Sequence, residues 1–128
     1  MPKFLTKEWH EEFHRLAESQ PERPGASARI QFVVNGGPEG DVHYFWVLEN
    51  GKLLESGLGE LDDAEITLTE SYDDAVKIQK GELDLNAAFM QGRVKVTGNM
   101  PKLMSMLPIA NSPEFKQLQE EIRGVTEY

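Results

Sequence analysis

Leu5, Trp9, Phe13 and Leu16 recur at three- to four-residue spacing, the period that gathers apolar side chains on one stripe of a helix. A helix is predicted from Thr6, a suitable N-cap, to about Ser19. Gln20-Pro21-Glu22-Arg23-Pro24-Gly25 then breaks it. From Ala28 the period shortens to two. Ala28 to Asn35, the aromatic stretch Val42 to Glu49, Leu53 to Leu58 and the short Glu65 to Thr69 read as four strands. Asn50-Gly51 is the strongest hairpin signal, because a type I′ turn needs positive φ at both central positions.

A second helix is predicted over about Glu70 to Lys80, with Thr69 or Ser71 as cap and Gly81 as terminator. Asn86 to Gln91 makes one helical turn. Arg93 to Thr97 is a fifth strand between Gly92 and Gly98. Asn99 caps a helix that Pro108 is expected to end. Ser112-Pro113 opens a last helix closed by Gly124. This order predicts an α+β fold with helices gathered on one face of a mostly antiparallel sheet. Alternation assigns Ile30, Phe32 and Val34, Val42 to Leu48 in steps of two, Ile66 and Leu68, and Val94 and Val96 to the covered face. Val33, Phe45 and Val47 fall on the opposite face, where they form a candidate homodimer patch.

The 128 residues suit a single domain spanning 1–128, and 39% hydrophobic with 27% charged residues marks a globular chain. There is no cysteine, which excludes disulfides, thiolate zinc sites and a Cys nucleophile. A net charge of −9 opposes nucleic-acid binding. Arg93, Lys95 and Lys102 form one local basic group that can meet an anionic head, although a solvated strand face is the plainer reading. No stretch approaches the ~18 apolar residues of a membrane span, the start has no apolar signal core and the end has no common address signal. A cytoplasmic location is therefore expected.

One catalytic pattern occurs. His10-Glu11-Glu12-Phe13-His14 matches H-E-x-x-H, in which two histidines one helical turn apart share zinc and the Glu activates water. Here the apolar stripe runs through Trp9 and Phe13, so His10 and His14 are expected to flank it and face water. A third ligand has no candidate beyond His43. No Gly-x-Ser-x-Gly elbow or phosphate loop is present, and Asp62-Asp63 and Asp73-Asp74 suit a loop and a helix start. A non-enzyme is expected.

Asn86-Ala-Ala-Phe-Met-Gln-Gly-Arg-Val-Lys-Val-Thr-Gly-Asn-Met-Pro-Lys-Leu-Met, continuing to Met106, resembles a characteristic stretch of the sterol carrier protein 2 family. There an aromatic turn and a glycine lead to a basic-apolar strand, Gly-Asn-Met and a Leu/Met-rich helix. Ile66-Thr-Leu-Thr, the acidic helix ending Lys80-Gly81-Glu82-Leu83 and the Asn50-Gly51 hairpin extend the likeness over about residues 28 to 107. Pro101 departs from it, since the family carries a small residue there. The resemblance implies a five-stranded sheet covered on one face by about five helices, with an apolar tunnel between. It implies a non-catalytic carrier of sterols, fatty acids, acyl-CoA or similar lipids, without a cofactor, in transient contact with membranes or partner enzymes. On that basis Phe32, Trp46, Phe89, Met90, Met100, Leu103, Met104 and Leu107 are the expected lining. Phe115, Leu118 and Ile122 form either a lid or another packed helix. The competing class is a protein–protein interaction module with a filled core.

Overall fold

The computed structural model describes residues 1–128. It runs α1 (Lys7–Ala17), β1 (Ala28–Gly37), β2 (Gly40–Glu49), β3 (Lys52–Leu58), β4 (Ile66–Ser71), α2 (Tyr72–Gln79), α3 (Leu85–Met90), β5 (Lys95–Gly98), α4 (Met100–Ala110) and α5 (Pro113–Gly124). The strands form one sheet in the order β3-β2-β1-β4-β5. β1 to β3 make an antiparallel meander, β4 lies parallel to β1, and β5 is antiparallel to β4.

Local chemistry sets these elements. Thr6, Ser71, Asp84, Asn99 and Ser112 each cap a helix by accepting a backbone N–H with the side chain. Asn50 and Gly51 turn the β2–β3 hairpin with φ of 50° and 82°. Gly98 is fixed by a close approach. A Cβ there would stand 2.3 Å from the Glu65 carbonyl oxygen at the β4–β5 junction.

Register carries the expected alternation into place. Ile30 pairs with Trp46 and Ile66, and Phe32 with Tyr44 and Leu68, so their side chains project from one face toward the helices. Two buried clusters result. One joins Phe4, Leu5, Trp9 and Phe13 to Val34, Tyr44, Ala75, Leu118 and Ile122. The other joins Ala28, Ile30 and Ile66 to Met106 and Ile109 of α4. The chain ends close the first cluster. Phe4 N–H donates to the Glu127 carbonyl at 2.9 Å, Glu127 N–H donates to that of Pro2 at 2.8 Å, and Trp9 Nε1 donates to Thr126 Oγ1 at 2.9 Å.

Three expectations are corrected. α4 passes through Pro108 and ends at Ala110, capped by Asn111. The proline removes one helical N–H, but burial of Ile109 and the lining position of Ala110 hold the next turn. His10 does not face water, because the buried arc of α1 includes Trp9, His10, Phe13 and Ala17. On the outer face of the sheet Val47 is buried rather than wet, while Val33 and Phe45 are half-buried. The loop after β3 folds back there. Gln31 Nε2 donates to the Gly59 carbonyl at 3.0 Å, and Leu61 N–H donates to Gln31 Oε1 at 2.7 Å.

Candidate functional site

Between the sheet and the helices lies a cavity of about 180 Å³, and 22 of its 27 lining residues are hydrophobic. Strand alternation supplies its floor: Ile30 and Phe32 from β1, Tyr44, Trp46 and Leu48 from β2, and Leu68 and Glu70 from β4. The aromatic rings interlock. Phe32 stacks on Tyr44 at 4.5 Å between centroids and meets Trp46 edge-on at 4.8 Å. Trp46 in turn stacks on Phe13 of α1 at 5.1 Å. The roof comes from all five helices, α3 contributing only Leu85.

Six of the sequence-predicted residues line this cavity: Phe32, Trp46, Leu103, Leu107, Phe115 and Leu118. Ile122 does not, being fully buried in the core beside it. Phe89, Met90, Met100 and Met104 do not either, and all four are exposed, Met90 at 84% and Met104 at 59%. The reason is the rotation of α4. Its inward face is Leu103, Met106, Leu107 and Ala110, which leaves Met100 and Met104, one turn apart, toward solvent. Trp9, Phe13, Tyr44, Leu68 and Met106 line the cavity without having been singled out. The stripe of α1 and the alternation of β2 and β4 carried that signal for all but Met106.

A few polar groups interrupt the apolar wall. Glu70 is its one charged residue, and burial followed by the nearby Asp74 carboxylate pushes its pKa up to about 7. The Tyr44 hydroxyl is pushed well above its usual range, by burial first and Glu70 second. Trp46 Nε1 and Gln79 Nε2 are buried with no hydrogen-bond partner.

A second concavity lies along the other side of α1, against β3. It is an open groove of about 590 Å³ with one hydrophobic residue among its nine, lined by Lys7, His10, Glu11, His14 and others. His14 Nδ1 lies 2.9 Å from Ser56 Oγ. The His10 ring turns inward, 5.0 Å from the Trp9 ring and 4.7 Å from that of Tyr44. Burial lowers its pKa to about 4, against the raising influence of the Leu5 backbone. The two imidazoles of the H-E-x-x-H pattern thus occupy different surroundings, and no three His, Cys, Asp or Glu residues gather in a way that could hold a metal. Of the basic residues, Arg93 pairs with Asp74 at 3.8 Å and Lys102 with Glu65 at 3.3 Å. No helix is long and apolar enough to cross a membrane.

An antiparallel meander with a parallel fourth strand, and five helices gathered over an apolar hollow on one face, define a small α+β class of fold. Residues 11–111 match the family model described as the SCP-2 sterol transfer family. The chain belongs to that family. It is 33% identical over 91 residues to hydroxysteroid dehydrogenase-like protein 2 of Bos taurus, covering 70% of this chain and 21% of that protein. The chain therefore spans about a fifth of that relative's length. A crystal structure of sterol carrier protein 2 superposes with a TM-score of 0.72 at 16% identity, over 94% of this chain and 98% of that one. A solution structure of palmitated SCP2L2 from Aedes aegypti gives 0.57 at 19% identity, over 88% of both chains.

Proposed function

We propose that this protein is a non-catalytic lipid carrier that takes an apolar ligand, such as a sterol, a fatty acid or an acyl-CoA chain, into the hollow between sheet and helices. The observation that carries this reading is the composition of the wall, 22 hydrophobic residues of 27 around unfilled space. Family membership and the palmitated insect neighbour support it. The driving force is desolvation, about 0.8 kcal/mol for each buried methylene before the costs of association and ordering. Such a wall discriminates weakly between neighbouring chain lengths, since one methylene more or less changes the gain by only about 0.8 kcal/mol.

At about 180 Å³ the hollow is smaller than the roughly 300–1,000 Å³ of ordinary small-molecule sites. Loading a whole lipid therefore moves α4 and α5 away from the sheet. Phe115 and Leu118 line the hollow from α5, whose far end is held through the backbone bonds between the chain termini, so the opening falls at the α4–α5 turn. Exchange of cargo then takes place in passing contact with a membrane or an enzyme.

The test is native mass spectrometry of the purified protein, with solvent extraction and identification of whatever is released. The expected result is one lipid mass added per chain, lost on extraction and restored by adding back a fatty acid or alcohol. Protein that is empty as isolated and fails to bind the neutral dye Nile red contradicts the proposal.

A further inference from the structure

Glu70 is out of character with its surroundings. On β4 it continues the alternation of Ile66 and Leu68, which places its carboxyl on the helix-covered face. It is the only acid in the cavity wall, and the wall contains no Lys, Arg or His. No hydrogen bond or cation offsets its burial. Leaving a carboxyl in that state costs free energy unless a ligand satisfies it. Elsewhere in the same wall Trp46 Nε1, Gln79 Nε2 and Gln20 Oε1 are also without partners. Buried polar groups are normally paired, so a carboxyl on an otherwise apolar wall with no cation beside it is a group a ligand can satisfy.

The register places these groups relative to the rest of the hollow. Glu70 pairs with Val34, at the end where α2 begins and where the aromatic cluster of Phe4, Trp9 and Tyr44 packs. The opposite end, beneath Leu103, Met106 and Ile109 of α4, has no ionisable side chain. The hollow thus carries its one carboxyl at one end, away from the α4 wall.

We propose that Glu70 receives the hydroxyl of an uncharged apolar alcohol and keeps carboxylate head groups out of that end of the cavity. This rests on the carrier reading and narrows it to a head-group class. A hydroxyl donates to the carboxylate and accepts from a carboxylic acid, so it suits Glu70 in either protonation state. An ionised carboxylate head meets only like charge there, since no cation lines the wall.

The ionisable groups facing Glu70 are Asp74 of α2 and the Tyr44 hydroxyl of β2. Asp74 is paired to Arg93 at 3.8 Å, and His10 of α1 lies behind the Tyr44 ring at 4.7 Å. With its pKa raised to about 7, Glu70 is charged at pH 8 and mostly neutral at pH 6.

Displacement of bound Nile red by hexadecanol and by hexadecanoate, in the wild type and in Glu70→Gln, provides the test. At pH 8 the wild type is expected to bind the alcohol more tightly than the acid. Glu70→Gln should strengthen hexadecanoate binding about tenfold, the equivalent of 1.4 kcal/mol, while changing hexadecanol binding much less. In the wild type alone, the preference for alcohol should narrow from pH 8 to pH 6, so the test stands even where the variant folds poorly. An alcohol-to-acid ratio unaltered by both the substitution and the pH overturns the role of Glu70 while leaving the carrier intact. Failure of Nile red and of both lipids to bind at all removes the carrier reading and this one with it.

Discussion

α1 presents two faces to two concavities, and they differ in kind. Trp9, Phe13 and Ala17 look into the hollow over the sheet, while Lys7, Glu11, His14 and Glu18 look into the groove along β3. The groove is the roomier, about 590 Å³ against 180 Å³, yet only one of its nine lining residues is hydrophobic. Space open to water offers a ligand little that water does not already have. Space walled by interlocked aromatic rings excludes water, and each apolar atom placed there gains the full benefit of leaving solvent. Wall chemistry, more than volume, separates a binding hollow from a crease in the surface. The one polar helical motif in the sequence lies on the wrong side of that division.

Two titratable groups shifted by burial, His10 and Glu70, sharpen the contrast most. His10 borders the groove with its ring turned into the core, and Glu70 borders the hollow. The fold lowers His10 from 6.5 to about 4, so the unfolded chain binds a proton that the folded one refuses. Its contribution to stability is present above about pH 6.5 and lost as pH falls toward 4. Glu70 is raised from 4.5 to about 7, so here the folded chain holds the extra proton. Its contribution is present below about pH 4.5 and lost as pH rises toward 7. The two slopes oppose each other across nearly the same window, each worth at most about 3 kcal/mol. Stability of the wild type between pH 4.5 and 6.5 is therefore expected to be nearly flat. Glu70→Gln should make it fall on acidification, and His10→Phe should make it fall on going from pH 4.5 to 7. Urea unfolding at four or five pH values reads both slopes, and parallel curves for the three proteins would show that neither group is held as described.

Bulk placed in the two spaces provides the next comparison. Leu103→Trp puts an indole into the hollow from α4 and should weaken Nile red or hexadecanol binding about tenfold or more. Leu58→Trp puts the same bulk into the groove, where Leu58 is 47% exposed, and should leave binding within about twofold. Met104→Trp should behave like Leu58→Trp, because Met104 points to solvent. Circular dichroism confirms that each variant is folded before binding is measured. Equal losses in all three would mean that the measured site is not the hollow.

Met104 also marks where the sequence stops being legible. α1 could be read because its apolar residues form one stripe in a polar background. The strands could be read because apolar residues alternate, and the caps because Thr6, Ser71, Asn99 and Ser112 stand just before their helices. α4 could be located but was oriented wrongly, with Met100 and Met104 assigned to the inner face beside Leu103 and Leu107. In Met-Pro-Lys-Leu-Met-Ser-Met-Leu-Pro-Ile-Ala almost every position is apolar, so periodicity selects no face, and only the packing of α4 over β4 turns Met104 outward. His10 was misplaced because α1 is covered on a broad arc, by β3 on one flank and α5 on the other, which a narrow stripe does not reveal. The burial of Val47 is set by tertiary packing on the outer face, which strand alternation does not reveal. Glu70 gave no signal of its own, since it reads as the start of the second helix, where an acid normally is solvated, and β4 instead runs on to Ser71. The carboxyl in the wall of the hollow was the least legible feature for that reason.

The smallest expected effect concerns what the groove does instead. β3 is an edge strand, and an uncovered edge offers unpaired backbone groups to other chains. α1 lies against it, and the contact between His14 Nδ1 and Ser56 Oγ, at 2.9 Å, ties helix to strand. Ser56→Ala removes that bond at a partly exposed position and should cost about 0.5–1 kcal/mol in urea unfolding. Lipid content and Nile red affinity should not change. If the groove only fastens α1 over the edge of the sheet, stability drops slightly and binding is untouched. A variant of normal stability that purified without its lipid would move the binding site across the helix, to the side the wall chemistry argues against.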